Sequence, residues 1–227
     1  MISLSLDEFE SLRGNAETIE SDGHGEKVLL LDDGSYLKLF RRKRLLSSAV
    51  LYPYAERFAD NAVALQDRGI ACPTILGVYR VPSLRRDVVN YAPLEGRTLR
   101  QVNDEVEKQA LRYRFGAFVA DLHKQGIFFR SLHLGNVVID TDGGLGLIDI
   151  ADLSVGKRSL SKRKRLRNFR HMLRYPNDRK WLLGDSDRSF FDGYTRTAES
   201  VLSLNELIQL SLEPGFMDDH TLATRDN

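Results

Sequence analysis

The sequence has little cysteine and almost no excess of charge of either sign. Its single cysteine, Cys72, excludes a disulfide framework and a multi-cysteine zinc site. Cys72 stands among apolar neighbours and is predicted to be a buried thiol in a reducing compartment. Lys and Arg number 33 and Asp and Glu 32, so the net charge of +1 gives no sign of a nucleic-acid or membrane partner.

Long apolar runs are also missing. No stretch is long enough to span a membrane, and the acidic start lacks the basic and apolar parts of a signal peptide. We therefore expect a soluble, cytoplasmic protein with at most peripheral membrane contact. What is present is a globular composition over 227 residues, 42% hydrophobic and 29% charged, enough for one large domain or two small lobes.

Strand-like patterns dominate the first part of the chain. Residues 28–31 and 36–40 flank an Asp-Gly turn and predict a hairpin. Helical periodicity predicts a helix over 47–68, and two more strands are expected at 75–81 and 87–91. The first 92 residues thus read as a small, mostly antiparallel sheet with one helix.

Beyond Pro93 the pattern becomes mainly helical. An apolar stripe predicts a long helix, and a glycine-rich turn predicts a small hairpin before the last helices. The predicted helices are 105–124, 161–174, 187–199 and 203–211, and the predicted hairpin strands are 137–139 and 145–150.

Three features in the first part are compatible with a bound phosphate, and each also has a purely structural explanation. Gly23-His24-Gly25 precedes the first predicted strand, where backbone N–H groups of a glycine turn approach phosphates closely, although most such pairs are plain turns. Lys38 lies between two leucines and either has an anionic partner or faces solvent at a sheet edge. Glu56 is a candidate partner that would aim Lys38 at a phosphate; otherwise it belongs to a solvated helix face.

Further along, polar residues stand at the ends of the predicted small hairpin. The loop 130–136 carries His133 and Asn136, and Asp149 follows in an apolar strand. If both strand ends meet, the oxygens of Asn136 and Asp149 approach a single metal ion. The alternative is a structural Asn cap together with a buried, salt-bridged Asp.

The nearly neutral net charge conceals a strongly basic segment late in the chain. Between residues 157 and 174 there are nine Lys and Arg side chains and no acid. A run this one-sided favours an anionic partner over an ordinary solvated face.

The order and spacing of these features resemble the protein-kinase-like fold. The loop text at 132–136 is closer to small-molecule kinases than to eukaryotic protein kinases. The segment 148–150 with the basic helix after it, and the late Phe-Phe-Asp-Gly-Tyr at 190–194, resemble the lipopolysaccharide core kinase family. The resemblance covers roughly residues 20–200.

This resemblance implies an α+β, two-lobed protein-kinase-like fold. The N-lobe, a small antiparallel sheet plus one helix, would comprise residues 1–92, and the mainly helical C-lobe residues 93–227. The implied activity is ATP- and Mg²⁺-dependent transfer of the γ-phosphate to a sugar hydroxyl, on heptose or Kdo, of the lipopolysaccharide inner core. A kinase of protein substrates is disfavoured by the loop text, and no nucleic-acid partner is expected.

The resemblance also assigns roles to individual residues. Lys38, held by Glu56, would contact the α- and β-phosphates, and Asn136 and Asp149 would bind Mg²⁺. The remaining nucleotide-binding residues would be Gly23, Gly25, Tyr91 and Leu94.

The basic helix would bind the phosphates and carboxylates of the core sugar lipid at the cytoplasmic face of the inner membrane. The residues assigned to this contact are Lys162, Arg163, Arg167, Arg170 and Arg174.

One departure from the family pattern concerns the general base. Ser131 stands where the catalytic loop normally carries an Asp that accepts the proton of the substrate hydroxyl, and Phe129 replaces the usual His. Either another group such as His133 or Asp152 acts as the base, or little base catalysis is needed. The third possibility is a pseudokinase, a regulatory binding module without efficient phosphotransfer.

Overall fold

The structure is a computed structural model that describes residues 1–42, 52–184, 187–198 and 201–212. Positions 47–51 of the predicted first helix and residue 199 lie outside the described residues. The chain forms two compact units. Unit 1 comprises Met1–Gly96 and Asp140–Asp152, and unit 2 comprises Arg97–Ile139 and Leu153–Asn227.

Unit 1 is built on a six-stranded sheet with the spatial order β1-β5-β6-β4-β3-β2. All neighbouring strands are antiparallel except β1 and β5. The strands are β1 (Ile2–Ser3), β2 (Glu17–Asp22), β3 (Gly25–Leu30), β4 (Tyr36–Arg41), β5 (Thr74–Val81) and β6 (Arg86–Ala92). The helices of this unit are α1 (Leu6–Arg13) and α2 (Tyr54–Gln66).

The two faces of this sheet have different chemistry. One face packs a buried hydrophobic cluster of Leu29, Leu37, Leu39 and Val88 against Phe9 of α1. Lys38 stands opposite Val28 and Val89 in the neighbouring strands and so points to the other face. Because side chains alternate between the two faces along each strand, the hydrophobic face of the sheet is separate from the face that carries Lys38.

The outer edge of the sheet is also distinctive. Strand β2 pairs on one side only, with β3, and all six of its residues are exposed. Three of the six residues are acidic: Glu17, Glu20 and Asp22. The edge is thus short and negatively charged.

Unit 2 is mainly helical. Its helices are α3 (Glu105–Lys124), α4 (Lys162–Met172), α5 (Pro176–Leu183), α6 (Ser189–Thr197) and α7 (Leu204–Leu212). Its short strands are β7 (Gly96–Thr98), β8 (Ile127–Phe129), β9 (Val137–Asp140) and β11 (Leu153–Val155), and β10 (Leu145–Leu147) belongs to unit 1. Helix α3 has the bounds predicted from its apolar stripe, and its first turn is capped by the Asp104 side chain, which accepts from Glu107 N–H at 2.8 Å.

Close helix packing in unit 2 depends on glycine. A Cβ added at Gly116 of α3 would lie 2.0 Å from the Phe190 carbonyl oxygen of α6, and one at Gly193 would lie 2.0 Å from the Tyr113 carbonyl oxygen. Both approaches are impossible for any side chain. The two helices therefore touch backbone to backbone, as small residues allow.

One predicted strand is shorter than expected. The strand predicted at 145–150 ends at Leu147, because Asp149 adopts a φ of +53° and a 3₁₀ turn begins at Ile150. A left-handed residue cannot continue a β-strand. Asp149 consequently lies in a turn and not inside an apolar strand.

Candidate active site

The central feature of unit 1 is an ion pair between Lys38 and Asp149. Lys38 Nζ donates to Asp149 Oδ1 at 2.6 Å, although 111 positions separate the two residues in sequence. The lysine side chain is 17% exposed and the aspartate side chain 50%. The lysine expected to need an anionic partner and the aspartate expected to need a cation are thus partners of each other.

The backbone around Asp149 is held on both sides. Leu147 N–H donates to the Ala71 carbonyl at 2.9 Å, and the Asn61 side chain of α2 donates to the Ile150 carbonyl at 2.7 Å. Asn61 is buried, so its bond is protected from water. A non-glycine residue with positive φ costs about 1–3 kcal/mol and persists only where its surroundings enforce it. The Asp149 carboxylate on this backbone contacts Lys38.

Glu56 lies on the helix predicted for it, and the structure pairs Lys38 with another carboxylate. It is half-buried in the first turn of α2, while Lys38 forms its ion pair with Asp149 rather than with Glu56. The pairing of Lys38 with Glu56 therefore stays a prediction.

Aromatic rings flank the lysine on its face of the sheet. Tyr91 stacks on Tyr36 with ring centroids 5.7 Å apart and packs against Phe58 of α2 at 5.3 Å. Burial raises the pKa of the Tyr91 phenol, so this ring is neutral at physiological pH. Leu94, the other residue expected to contact a nucleotide base, packs closely against Gly146, where a Cβ would lie only 2.5 Å from Leu94 Cδ2.

The predicted glycine turn joins β2 to β3. Gly25 has a φ of +107°, a conformation that requires glycine. His24 N–H donates to the Asp22 carboxylate at 2.8 Å, and this bond lowers the pKa of Asp22. One backbone donor that was expected to face a phosphate is therefore already bonded to an acid within the turn.

In unit 2 the predicted catalytic loop has a defined internal geometry. The Asn136 side chain donates from Nδ2 to the Ser131 carbonyl at 2.9 Å, and Asn136 is only 7% exposed. This bond fixes the amide nitrogen inward and leaves the amide oxygen as the acceptor end of the side chain. Ser131 and His133 are both half-buried in the same loop.

Two residues not singled out from the sequence hold this loop in place. Asp178 of α5 is 1% exposed and accepts from Arg100 Nε at 3.0 Å, from Arg100 Nη2 at 2.7 Å and from Leu134 N–H at 3.2 Å. A Cβ at Gly135 would lie 2.9 Å from Arg100 Nη1, so the guanidinium lies directly over the loop. The only hint of this contact in the sequence was Gly135, because a glycine permits another side chain to approach the backbone closely.

Arg100 also affects His133, one of the two candidate substitute bases. Arg100 Nη2 lies 3.5 Å from His133 Nδ1, and an arginine can only donate. The guanidinium therefore donates toward this ring nitrogen. Asp152, the other candidate, is half-buried in the 3₁₀ turn after Asp149.

The basic helix is confirmed as α4, and most of its cations face solvent. Lys162, Arg163, Arg167, Arg170 and Arg174 are exposed. The helix ends at Met172, two residues before the predicted end. We call Arg163, Arg167 and Arg170 of α4, together with Arg174 just after its end, the basic face. Lys162 forms an ion pair with Glu206 of α7. Arg165 is the exception, since it is 1% exposed and bonds Tyr194, Leu160 and Ser159 inside the unit.

The two residues predicted to bind a metal are hard oxygen donors, one in each unit. Within the described ranges no group of three or more His, Cys, Asp and Glu side chains is arranged as metal ligands. Mg²⁺ is commonly bound by one or two carboxylates plus phosphate oxygens of a nucleotide. In unit 1 Asp149 has a half-exposed carboxylate. In unit 2 the Asn136 side chain has an amide oxygen, and each of these groups taken by itself is a hard oxygen donor.

Comparisons with known proteins identify the fold. No protein-family model and no curated protein sequence matches the chain. Among solved structures, the chain is similar to an aminoglycoside 3′-phosphotransferase of type VIII, with a TM-score of 0.66 and 15% sequence identity. The match covers 92% of this chain and 98% of the other.

The predicted fold class is confirmed by this match. The chain has the α+β protein-kinase-like fold, with a small antiparallel-sheet N-lobe and a helical remainder. Among the described helices, none is long and apolar enough to cross a membrane.

Proposed function

We propose that the protein is an ATP- and Mg²⁺-dependent small-molecule kinase of the lipopolysaccharide core kinase type. It transfers the γ-phosphate of ATP to a sugar hydroxyl of the inner core. The observation that carries this proposal is the 2.6 Å pair between Lys38 and Asp149, held on strained backbone within a kinase-like fold. In this proposal residues 1–92 form the nucleotide-binding N-lobe and residues 93–227 the C-lobe with the catalytic loop.

Nucleotide binding would exchange partners around Lys38. The lysine is mostly buried, so its charge needs an anion in every state of the protein. Asp149 supplies this anion in the structure, and the α- and β-phosphates would supply it when ATP is bound. Gly23 and Gly25 would cover the phosphates, and Tyr91 and Leu94 would contact the adenine.

Asp149, once released from Lys38, and Asn136 would hold Mg²⁺. When bound, the ion neutralises charge on the phosphates and orients the γ-phosphoryl group. The chain's own contribution is to keep the Asn136 amide fixed by Ser131 O and the Asp149 carboxylate exposed. Phosphoryl transfer passes through a loose transition state that depends mostly on positioning, so Ser131 does not by itself exclude activity.

The acceptor would be an anionic sugar lipid that meets the basic face of α4. The four arginines of this face are exposed, and no acid lies between residues 157 and 174. Such a surface attracts phosphates and carboxylates of a core sugar. Contact with a lipid acceptor would place a cytoplasmic protein at the inner surface of the inner membrane.

Transfer of label from γ-labelled ATP to purified core lipopolysaccharide tests the enzyme proposal. We expect Mg²⁺-dependent incorporation by the wild type and a loss of at least about 100-fold in Asp149→Asn, because the variant loses a charged ligand. A wild type that transfers no more label than Asp149→Asn contradicts the proposal. Thermal unfolding with ATP and Mg²⁺ separates binding from transfer, since a ligand that binds the native state raises the Tm.

The second candidate function is a pseudokinase, and the catalytic loop favours it. Residues 128–136 contain no carboxylate, and Phe129 is completely buried, with its carbonyl accepting from Asn168 at 2.8 Å. The one imidazole of the loop, His133, has the Arg100 guanidinium 3.5 Å from its Nδ1. General-base catalysis is worth about 10²–10⁴-fold in rate.

Restoring a carboxylate distinguishes the two functions. In a pseudokinase that binds nucleotide, Ser131→Asp is expected to raise label transfer by at least about tenfold. In an enzyme adapted to Ser131, the same change leaves transfer unaltered or lowers it. Ser131→Asn has nearly the same shape without the charge and serves as the matched control.

A further inference from the structure

A cavity lies in unit 2 beside the catalytic loop. Its volume is about 550 Å³, and its lining includes His133 from the loop, Arg100, Lys108 of α3, and Tyr175 and Trp181 near α5. None of the nucleotide-binding residues lines it. A space of this size accommodates a monosaccharide or a small fragment of a larger sugar.

The charges around this cavity favour an anion. The Asp178 carboxylate is 2% exposed and accepts hydrogen bonds from Arg100 and the Leu134 N–H, so its charge is already neutralised by Arg100. The Arg100 side chain is nevertheless 49% exposed, so part of the guanidinium remains accessible to a ligand. Lys108 adds a cation that is 18% exposed, and its partner Glu105, which is not part of the lining, is 67% exposed.

Aromatic surface in the cavity is arranged around Tyr175. The Arg100 and Arg174 guanidinium carbons lie 5.9 Å and 5.2 Å from the centre of its ring, and the His133 ring contacts it edge-on at 5.6 Å. Arg174 belongs to the basic face of α4, so that face continues to the rim of the cavity. Tyr175 is 41% exposed and offers an apolar surface of the kind on which a sugar ring packs.

His133 complements the arginine in this role. Because Arg100 can only donate, His133 Nδ1 is the acceptor of their 3.5 Å contact. Arg100 and Lys108 are therefore two cationic donors of one cavity that His133 also lines.

We propose that this cavity binds an anionic sugar, in which Arg100 and Lys108 bind a phosphate or carboxylate substituent and Tyr175 packs on the sugar ring. The inference rests on the proposed function, because it takes this cavity to be the place where the acceptor sugar of the kinase binds. It separates this protein from a kinase of cationic amino sugars, whose acceptors would be repelled by the two cations.

Trp181 gives a direct test because it is the only tryptophan of the chain and lines the cavity. Its fluorescence is recorded during titration with glucose 6-phosphate, galacturonate, glucose, inorganic phosphate and kanamycin, without ATP. We expect saturable changes with the phosphorylated sugar or the uronate. Glucose and kanamycin are expected to leave the emission unchanged.

Two lysine variants locate the response. Lys108→Gln is expected to weaken the binding of the anionic sugar about tenfold, the loss of one charged contact. Lys164→Gln on the exposed surface of α4 removes the same charge outside the cavity and is expected to bind like the wild type. Lys108 forms an ion pair with the exposed Glu105, and an ion pair at such an exposed partner adds little to stability, so Lys108→Gln is expected to keep the fold intact.

The outcomes separate this inference from the proposed function. No response to either anionic sugar, equal weakening by both lysine variants, or a response to kanamycin overturns the inference. A response to inorganic phosphate as tight as that to glucose 6-phosphate overturns the assignment to a sugar. Saturable sugar binding without label transfer supports the inference and contradicts the proposed kinase activity. Label transfer without any change in Trp181 fluorescence supports the kinase activity and contradicts the inference.

Discussion

At the scale of single residues, His123 organises the interior of unit 2. It is completely buried on α3 and lies between Tyr194 and Asn168. Asn168 donates from Nδ2 to the Phe129 carbonyl, so its oxygen faces His123 Nε2, which must carry the proton. Nδ1 then accepts from the Tyr194 hydroxyl, which itself accepts from Arg165 at 3.0 Å.

This chain of hydrogen bonds works only with a neutral imidazole. Burial, with the nearby charge of Arg165, lowers the pKa of His123 from 6.5 to about 4. Between those two values the unfolded chain binds a proton that the folded chain does not. The free energy of unfolding therefore falls as the pH drops from about 6.5 to about 4, by about 3 kcal/mol if the whole shift is expressed.

Replacing His123 by Gln is expected to remove this acid sensitivity. Gln keeps one acceptor and one donor near the required positions but does not titrate. Urea unfolding at several pH values between 7.5 and 4.5 should show a steeper loss of stability in the wild type than in His123→Gln. Carboxylates titrate in both proteins, so the difference between the two curves is the relevant quantity; parallel curves would refute the role of His123.

Gly135 has a different importance, since it permits the approach of Arg100. Gly135→Ala places a Cβ 2.9 Å from Arg100 Nη1 and 3.3 Å from His133 Cε1. The guanidinium must move, which weakens its bond to Asp178 and displaces the loop. We expect label transfer to fall at least about tenfold while the unfolding free energy changes by about 1 kcal/mol. A variant that keeps full activity would show that the loop tolerates a displaced Arg100.

At the scale of secondary structure elements, the contact between α3 and α6 is set by Gly116 and Gly193. A methyl group at either position meets a carbonyl oxygen of the facing helix at 2.0 Å, and backbone cannot yield as a flexible side chain can. The helices must separate to accept any larger residue, which loosens the packing of Phe115 against Phe190, whose ring centroids are 5.5 Å apart.

Gly116→Ala is expected to destabilise the protein despite the better helix propensity of alanine. Alanine gains up to about 1 kcal/mol within a helix, whereas overpacking of this kind costs about 1–3 kcal/mol or more. We expect a net loss of about 2 kcal/mol in urea unfolding. Gly156→Ala is the matched control, because its Cβ would have its nearest neighbour at 3.5 Å, an ordinary contact.

The elements also show what the sequence could and could not predict. Helices α3 and α4 and the sheet strands β4 to β6 follow from regular periodicity, because packing there agrees with the local pattern. Helix α5 was missed because Pro176 at its first position was followed by no clear apolar stripe. The Lys38–Asp149 pair was beyond prediction, since only the folded chain brings residues so far apart in sequence into contact.

At the scale of the whole molecule, a net charge of +1 conceals an uneven distribution. The edge strand β2 carries acids, whereas the basic face of α4 carries four exposed arginines. A nearly neutral molecule exerts little long-range attraction on a polyanion, so binding must come from the local patch. At higher ionic strength the patch itself is screened.

Removing part of the basic face should therefore weaken binding to lipopolysaccharide. Each cation close to an anionic lipid surface contributes about 1 kcal/mol, so Arg163→Gln combined with Arg167→Gln is expected to lower affinity at least about tenfold at low salt. Co-sedimentation with purified lipopolysaccharide, repeated over a salt series, measures this. Lys180→Gln with Arg196→Gln, both exposed elsewhere in unit 2, gives the same net charge and should retain binding; equal losses would assign the effect to total charge.

The acidic edge strand has a consequence for copies of this protein at high concentration. An exposed strand offers unpaired N–H and C=O groups to any other strand of similar length. Glu17, Glu20 and Asp22 place like charges on two copies of β2 that approach edge to edge. Repulsion between these acidic side chains opposes the growth of a continuous intermolecular sheet, so the charges of β2 protect its edge against aggregation.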